Sequence, residues 1–506
     1  MAAPATSDRF VEVPTAAGVV RGRWRGGAGS SPATSTAVFL GIPFAEPPIG
    51  DLRFAAPAPH QSWTGVREAL EFGPTPQRGG VAEMTLIPEP SVPGDATLSV
   101  NVFTPSPSPS ETGGLPVLVY IHGGGYVSGS QASPWYDGAS FNRDGVVVVT
   151  LSYRLGFDGF GWISDAPANR ALLDWLLALE WVQQNIGEFG GNPHQVTIAG
   201  QSAGGGAVLT LLAMPGAQHL FQRVYSISPT TNVTTPERAE QFGRQLAELA
   251  GVEPTRAGLG ALSESRVLEL QNQISSVGPA AGDADPLAGL ISLVTDGLVL
   301  CPIVDGDLLP SNFSEAFQAG TGSDKPLVVG ATDNEFNMAV NRVRDTLSDS
   351  APGDLLRRAG LADPTVDAYL ADHAELDAAG VLGQYLTDAM FRVGIVQVAE
   401  ARGAAPTWVY RFAWRSPTFG EAIHCIDVPF FFDCLDAYRV SVIAGDAPPQ
   451  AVADEVHAAA VSFVVNSEPG WPAWSGADRV ARIFDTPSST LPDGYAGVRS
   501  LLAAAG

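Results

Sequence analysis

The strongest indication of the fold lies in the segment Val196-Thr197-Ile198-Ala199-Gly200-Gln201-Ser202-Ala203-Gly204. The apolar run Val196–Ala199 is typical of a strand, and the run Ala207–Met214 that follows is typical of a helix. A turn this tight between a strand and a helix needs small neighbours, so that the serine hydroxyl projects from the end of the strand. The pattern therefore predicts a nucleophile elbow with Ser202 as the nucleophile.

Short apolar runs on both sides of the elbow predict the other core strands. The predicted strands are Val117–Ile121, Val146–Tyr153, Val196–Ala199, Val224–Ile227, Leu327–Val329 and Trp408–Phe412. They are rich in Val, Ile, Leu and Tyr without strict alternation, which is typical of strands buried on both faces. Helical patterns at Arg170–Ile186 and Val452–Val465 accompany them. Alternating strands and helices predict an α/β fold with a mostly parallel central sheet flanked by helices.

The chain of 506 residues is long enough for more than one domain, but length is a soft guide. No repeat or linker divides it, and the Pro- and Ser-rich segment Pro105–Gly114 indicates an exposed loop. We therefore expect a single domain over residues 1–506. Alanine-rich blocks at about 236–298 and 352–401 predict helical insertions above the sheet.

A glycine-rich segment, His122-Gly123-Gly124-Gly125-Tyr126, follows the first of these predicted strands. Consecutive glycines let backbone N–H groups approach a developing oxyanion without obstruction. A triple glycine by itself is more often a flexible turn, but this one lies after a core strand and before a serine elbow. We expect the amides of Gly124, Gly125 and Ala203 to form an oxyanion hole.

A serine nucleophile also needs a base, and the base needs an acidic partner. In a sheet of this kind the chain order is serine, acid, histidine. His424 follows the strand Trp408–Phe412 by a loop, as a base at the carboxyl edge of the sheet should. Glu335 and Asp333 both lie just beyond the strand Leu327–Val329, and spacing alone leaves either as the acid, with Glu335 modestly ahead.

These motifs together resemble the type-B carboxylesterase family, which includes the cholinesterases. The resemblance covers nearly the whole chain and also includes the segments Val38–Phe54, Asn169–Asp174, Ala178–Ile186 and Phe189–Pro193. It implies an α/β-hydrolase fold and a triad of Ser202, Glu335 and His424. It further implies that Ser228 supports the triad from the surrounding layer of residues.

The chain departs from the family pattern at several positions. Gly94-Asp95-Ala96 replaces the usual Glu-Asp-Cys, so the family's N-terminal disulfide is absent and Arg53 loses its usual glutamate partner. Asp95 is the candidate replacement for that partner. Pro229 follows Ser228, and Phe336 follows Glu335, where relatives commonly have glycine. The loop that carries the acid is therefore expected to differ in shape.

The resemblance implies a serine carboxylesterase that hydrolyses small carboxylic esters through an acyl-enzyme, without a metal or organic cofactor. Alternatives are a carbamate or amide hydrolase that uses the same triad and a lipase that acts at interfaces. A non-catalytic cholinesterase-like binding protein is disfavoured because the triad residues are present. Aromatic residues near the sheet edge, Tyr126, Phe430 and Phe431, are candidate walls of the substrate pocket, although core packing is the commoner role of such rings.

Composition excludes several partners. Asp and Glu total 53 against 28 Lys and Arg, and a net charge of −25 disfavours nucleic-acid binding.

No apolar run is long enough for a membrane helix, and no secretory signal is seen, so we expect a cytoplasmic protein. Three cysteines do not make a disulfide framework, and we expect free thiols, with pairing of Cys425 and Cys434 the alternative. No pattern specifies the oligomeric state.

Overall fold

The computed structural model describes residues 9–25, 36–76, 86–111, 113–275, 286–341 and 343–504. Its strands are β1 (Phe10–Pro14), β2 (Val19–Arg25), β3 (Thr36–Pro43), β4 (Val66–Glu68), β5 (Ser99–Thr104), β6 (Leu115–Ile121), β7 (Val147–Leu151), β8 (Gly191–Gln201), β9 (Arg223–Ile227), β10 (Leu327–Thr332), β11 (Thr407–Phe412), β12 (Ala481–Phe484) and β13 (Ser489–Leu491). Its α-helices are α1 (Ala139–Arg143), α2 (Gly156–Phe160), α3 (Arg170–Asn185), α4 (Ala203–Ala213), α5 (Pro236–Ala250), α6 (Arg256–Gly260), α7 (Glu264–Ile274), α8 (Pro286–Thr295), α9 (Phe313–Gln318), α10 (Asn337–Val340), α11 (Pro352–Arg358), α12 (Asp363–Asp372), α13 (Ala378–Thr387), α14 (Val393–Ala401), α15 (Val428–Phe431), α16 (Val440–Ala444), α17 (Gln450–Asn466) and α18 (Arg499–Ala504).

Within the described residues, the thirteen strands form one mixed sheet. Its order is β1-β2-β3-β5-β7-β6-β8-β9-β10-β11-β12-β13, with β4 beside β2. The strands from β7 to β12 in this order are mutually parallel, whereas the β1-to-β7 end and the β12–β13 pair are antiparallel. The predicted fold class, a mostly parallel central sheet with flanking helices, is confirmed. The antiparallel end was not predicted; its outer strands β1 and β2 are only partly buried and carry no continuous apolar run, whereas β3 and β5 are buried.

The central strands are buried on both faces. In β6, Val117, Val119 and Ile121 pack into one apolar cluster, while Leu118 and Tyr120 pack into another on the opposite face. Since successive side chains of a strand point to opposite faces, this division explains the uninterrupted apolar runs of the sequence. The carboxyl ends of these buried strands therefore emerge along one edge of a rigid sheet.

Helical segments interrupt the strand pattern at two places. Helices α5 to α8 lie between β9 and β10, and α11 to α14 lie between β10 and β11. The second group packs in an apolar cluster that includes Leu356, Val366 and Leu382, and Ile291 of α8 joins it. Among the described residues, no helix is both long enough and apolar enough to cross a membrane.

The contacts of Arg53 and the state of the cysteines bear on two expectations from the sequence. The Arg53 guanidinium pairs with Asp158 at 3.3 Å and donates to the carbonyl of Leu262 at 2.5 Å, so its carboxylate partner is Asp158 and not Asp95. Asp158 lies on α2, far along the chain, and no local pattern links it to Arg53. Cys425 and Cys434 are both free thiols, as is the third cysteine.

Lys325, the only lysine of the chain, is 8% exposed. Its ammonium lies 5.6 Å from the centre of the Phe221 ring and 3.5 Å from a carboxylate oxygen of Asp324. The ring face and the carboxylate both stabilise the charge of this largely covered side chain.

Candidate active site

Ser202 lies at the junction between β8 and α4, at the carboxyl edge of the sheet. Its backbone has φ 59° and ψ −121°, a conformation that L-residues rarely adopt. A Cβ at Gly200 would lie 2.3 Å from the carbonyl oxygen of Gly204, and one at Gly204 would lie 2.0 Å from that of Ile121. The turn therefore requires glycine at both positions. The amide of Ser202 donates to the carbonyl of Ile227 at 2.9 Å, which fixes the turn to β9.

Glu335 and His424 are joined by two hydrogen bonds. The Glu335 carboxylate is fully buried and accepts from the backbone N–H of Thr332 at 2.7 Å. Its other oxygen contacts Nδ1 of His424, and the backbone N–H of His424 donates to the Glu335 carbonyl at 3.0 Å. The contact at Nδ1 orients the imidazole, so Nε2 is the nitrogen that remains to exchange a proton with substrate or nucleophile.

Asp333, the other candidate acid, has a different partner. Both of its carboxylate oxygens accept from the Arg411 guanidinium at 2.7 Å. Among the described residues, no hydrogen bond or ion pair links Asp333 to His424. The structure therefore brings Glu335, and not Asp333, to the imidazole.

The pKa of His424 lies well above its usual value. Burial by itself lowers this pKa, and the neighbours Cys425 and Glu335 raise it. Burial also raises the pKa of the Cys425 thiol, which is therefore neutral near pH 7. The negative charge that favours the imidazolium is thus the charge of Glu335.

Gln201, the residue before the serine, occupies the other side of the imidazole. Its side-chain amide nitrogen lies 3.0 Å from His424 Nε2 and 3.2 Å from Cys425 Sγ, and the residue is 1% exposed. Among the described residues, no hydrogen bond joins Ser202 Oγ to His424. Serine–histidine hydrogen bonds often form fully only when substrate binds, so the lack of this bond here is compatible with catalysis. Sequence reasoning missed Gln201, because its contact with His424 joins residues 223 positions apart and no local pattern marks it.

We expect Gln201→Glu to move the rise of kcat/KM to higher pH. A carboxylate beside Nε2 stabilises the imidazolium and raises the pKa of His424, by about one unit or more for a charge at this distance. If His424 is the expected base, it must be neutral to accept a proton, so we expect activity to appear at a higher pH. Steady-state kinetics across a pH series measures the shift. Gln201→Met, of similar size but without charge, is the control. An unchanged pH profile in Gln201→Glu would show that Gln201 does not contact His424 in the working protein.

The glycine-rich loop after β6 packs directly on the elbow. A Cβ at Gly123 would lie 2.5 Å from the carbonyl oxygen of Gln201 and 3.1 Å from Cβ of Ser202. Gly124 has φ +113°, and a Cβ there would lie 2.3 Å from the carbonyl oxygen of Ser128. The loop therefore reaches the serine because these positions have no side chain.

Three amides of the loop and elbow are free donors. Among the described residues, the N–H groups of Gly124, Gly125 and Ala203 have no hydrogen-bond acceptor. Each belongs to a segment that borders Ser202. Unused backbone donors beside a nucleophile are suited to hold the negative oxygen of a tetrahedral adduct.

His122 supports this loop from below. It is fully buried, its ring stacks on Tyr153 with centroids 4.6 Å apart, and Nδ1 lies 2.8 Å from the Gly123 carbonyl. Burial lowers the pKa of His122 to about 4, so the ring is neutral at physiological pH. A neutral imidazole held by packing has a structural role beneath the glycine-rich loop.

The remaining sequence candidates lie in the interior. Ser228 follows β9 with φ 42° and is buried, and its Oγ has no partner among the described residues. Tyr126 and Phe430 have no exposed surface and Phe431 is 1% exposed. Tyr126 packs on Phe160 and Trp175, while Phe430 and Phe431 pack in the cluster on the other side of the sheet. These rings fill the core in this structure and present no surface to a ligand.

Aromatic side chains do flank the imidazole, but they are different ones. The rings of Phe336 and Phe391 lie 5.2 Å and 5.0 Å from the His424 ring, and they stack on each other. Phe336 follows Glu335 where relatives commonly have glycine, so this departure places an aromatic ring beside the imidazole. Among the described residues, no group of three or more His, Cys, Asp or Glu side chains could hold a metal ion.

Comparisons with known proteins match this chain to a family. The profile described as the carboxylesterase family matches residues 7–475. The para-nitrobenzyl esterase of Bacillus subtilis (strain 168) is 32% identical over 468 residues, which cover 88% of this chain and 90% of that protein. The phenmedipham hydrolase of Pseudarthrobacter oxydans is 31% identical over 465 residues, covering 87% of this chain and 90% of that protein.

The fold has equally extensive matches among solved structures. The Geobacillus stearothermophilus carboxylesterase EST55 at pH 6.2 superposes with a TM-score of 0.80 at 28% identity, covering 97% of this chain and 99% of that one. A structure of PNB esterase superposes with a TM-score of 0.79 at the same identity and coverage. These likenesses confirm the α/β-hydrolase fold predicted from the sequence.

Proposed function

Because this chain belongs to the carboxylesterase family and is a carboxylic ester hydrolase, we propose that it cleaves small esters with a triad of Ser202, His424 and Glu335. The observation that carries the proposal is the contact between the buried Glu335 carboxylate and His424 Nδ1. It leaves Nε2 on the side where Gln201 and the elbow lie. A carboxylate, an imidazole and a serine at the end of a strand are the parts that acyl transfer requires.

In the proposed acylation step, Ser202 Oγ forms a bond to the ester carbonyl carbon and its proton passes to His424 Nε2. Glu335 stabilises the imidazolium that results and holds the ring in the tautomer that accepts at Nε2. The C–O bond to the leaving alcohol then breaks, and Nε2–H protonates the alcohol oxygen. Water repeats the sequence on the acyl-enzyme, which releases the acid and restores Ser202.

The tetrahedral oxygen needs donors that are already in place. The unused amides of Gly124, Gly125 and Ala203 are the proposed donors, because they border the serine and have no internal acceptor among the described residues. Fixed donors of this kind stabilise the transition state without reorganisation at the moment of reaction. Ser228 is proposed to support the elbow from the end of β9.

Covalent trapping tests the proposed nucleophile. We expect a nitrophenyl phosphonate ester to add one phosphonyl group per chain and to release nitrophenolate in the same amount, because the activated serine attacks phosphorus as it attacks a carbonyl. Mass spectrometry of the intact protein and its peptides measures the adduct and its position. Ser202→Ala is expected to gain no mass. A phosphonyl group on any residue other than Ser202 would contradict the proposal.

A further inference from the structure

A cleft of about 310 Å³ adjoins the glycine-rich loop. Gly125 and Val127, at the end of that loop, are among its lining residues. The other lining residues come from α5, from the end of α7 with Ser275 after it, and from the segment Gly297 to Leu300. Because the Gly125 amide is a proposed oxyanion donor, an ester held there extends into this cleft or away from it.

The chemistry of the cleft is unusual for so acidic a chain. Of the described residues that line it, Arg238 is the one charged side chain, and no Asp or Glu is among them. Gln241 and Gln245 follow Arg238 at the third and seventh positions along α5, so the three side chains share one face of that helix. Asn272, near the end of α7, and Ser275 after it add further polar groups to the lining.

The Arg238 guanidinium has N–H donors that are not used by a carboxylate. One of its nitrogens donates to the backbone carbonyl of Asp296. Within the part of the chain that the structure describes, no carboxylate lies within 4.0 Å of it, whereas Arg244 on the same helix pairs with Glu240 at 2.7 Å. A guanidinium presents paired N–H donors that match a carboxylate, and such charge-assisted bonds are strong.

The position of His424 decides which part of the ester enters the cleft. The leaving alcohol must lie beside His424 Nε2, since that nitrogen protonates it. The rings that contact His424 on that side are Phe336 and Phe391, and neither they nor His424 line the cleft. The acyl part, on the other side of the carbonyl, is therefore the part directed past Gly125.

We propose that the cleft beside Gly125 binds the acyl group of the substrate, and that Arg238 selects acyl groups that end in a carboxylate, such as monoesters of dicarboxylic acids. The proposal rests on the proposed function. The methylene chain packs on the apolar side chains of the cleft, Phe242, Leu298 and Leu300, and the terminal carboxylate reaches the guanidinium.

The experiment compares mononitrophenyl esters of adipic, pimelic and suberic acid with the same compounds capped as methyl esters. For each pair, the ratio of kcat/KM for the acid to that for the capped ester is measured in the wild-type protein, Arg238→Gln, Arg238→Lys and Arg244→Gln. We expect a ratio above one in the wild type for at least one chain length. Arg238→Gln should lower it about 10- to 100-fold, mainly through KM, as expected for loss of a charge-assisted hydrogen bond.

The other variants separate charge from folding. Arg238→Lys should restore part of the ratio, because it restores the positive charge. Arg244→Gln should keep the wild-type ratio, because that side chain is paired with Glu240 and lies outside the cleft. Equal ratios in wild type and Arg238→Gln would overturn the inference while the capped esters still report an active esterase. If no ester of either kind is cleaved, the proposed function itself fails.

Discussion

Ser202→Ala is expected to lower kcat for a short-chain nitrophenyl ester by roughly 10⁴- to 10⁶-fold. Without Oγ no acyl-enzyme forms, and what remains is attack by water near the proposed oxyanion donors. The elbow itself should persist, because alanine keeps the Cβ and the backbone of Ser202 already has φ 59°. The initial rate of nitrophenolate release, measured with substrate in excess, gives the effect.

Two measurements make this loss specific to the nucleophile. The thermal midpoint of Ser202→Ala should match that of the wild type, which shows that the fold is intact. Ser462→Ala, at a hydroxyl on α17 that donates to the Glu468 carbonyl at 2.7 Å, should retain activity. Hydrolysis by Ser202→Ala at the wild-type rate would mean that another residue is the nucleophile.

Glu335→Gln is expected to lower kcat by roughly 10³- to 10⁴-fold while nearly preserving the shape of the side chain. An amide N–H that donates to Nδ1 favours the tautomer with its proton on Nε2, and that tautomer cannot accept the proton of Ser202. Loss of the negative charge also lowers the pKa of His424, which the carboxylate now helps to raise. The residual kcat/KM should therefore reach its plateau at a lower pH than in the wild type.

Asp333→Asn is the matched control for this experiment. Asp333 lies two residues from Glu335 but pairs with Arg411 and not with the imidazole. We expect this variant to keep kcat within about threefold of wild type and the wild-type pH profile. A loss in Asp333→Asn as large as that in Glu335→Gln would assign the acid's role to Asp333, the alternative that chain spacing left open.

The elbow and the glycine-rich loop were predictable because each has a local steric cause. Gly200 and Gly204 are required by contacts of 2.3 Å and 2.0 Å that any side chain would make, and such requirements leave a pattern within a few residues. The buried parallel strands were predictable for a related reason, since burial on both faces produces uninterrupted apolar runs. The pairing of Glu335 with His424 spans 89 positions of the chain, and its expectation came from the family resemblance.

Contacts without a local cause could not be predicted in this way. The pairing of Arg53 with Asp158 and the approach of Gln201 to His424 depend on how distant segments meet in the folded chain. Aromatic residues give the least reliable pattern, because the same ring suits a pocket wall or a core. The rings beside the imidazole are those of Phe336 and Phe391, and no periodicity distinguished them from Phe430, which is buried in the core.

Because the Lys325 side chain is covered, we expect the folded protein to react little with amine-selective reagents. Apart from the α-amino group, the only primary amine of the chain is the one that lies over the Phe221 ring and beside Asp324. Acylating labels that modify surface lysines therefore find almost nothing to react with while the protein is folded. The fraction of chains labelled at Lys325 is therefore expected to report the fraction of chains that have unfolded. For the same reason, coupling through lysine is a poor way to attach this enzyme to a support.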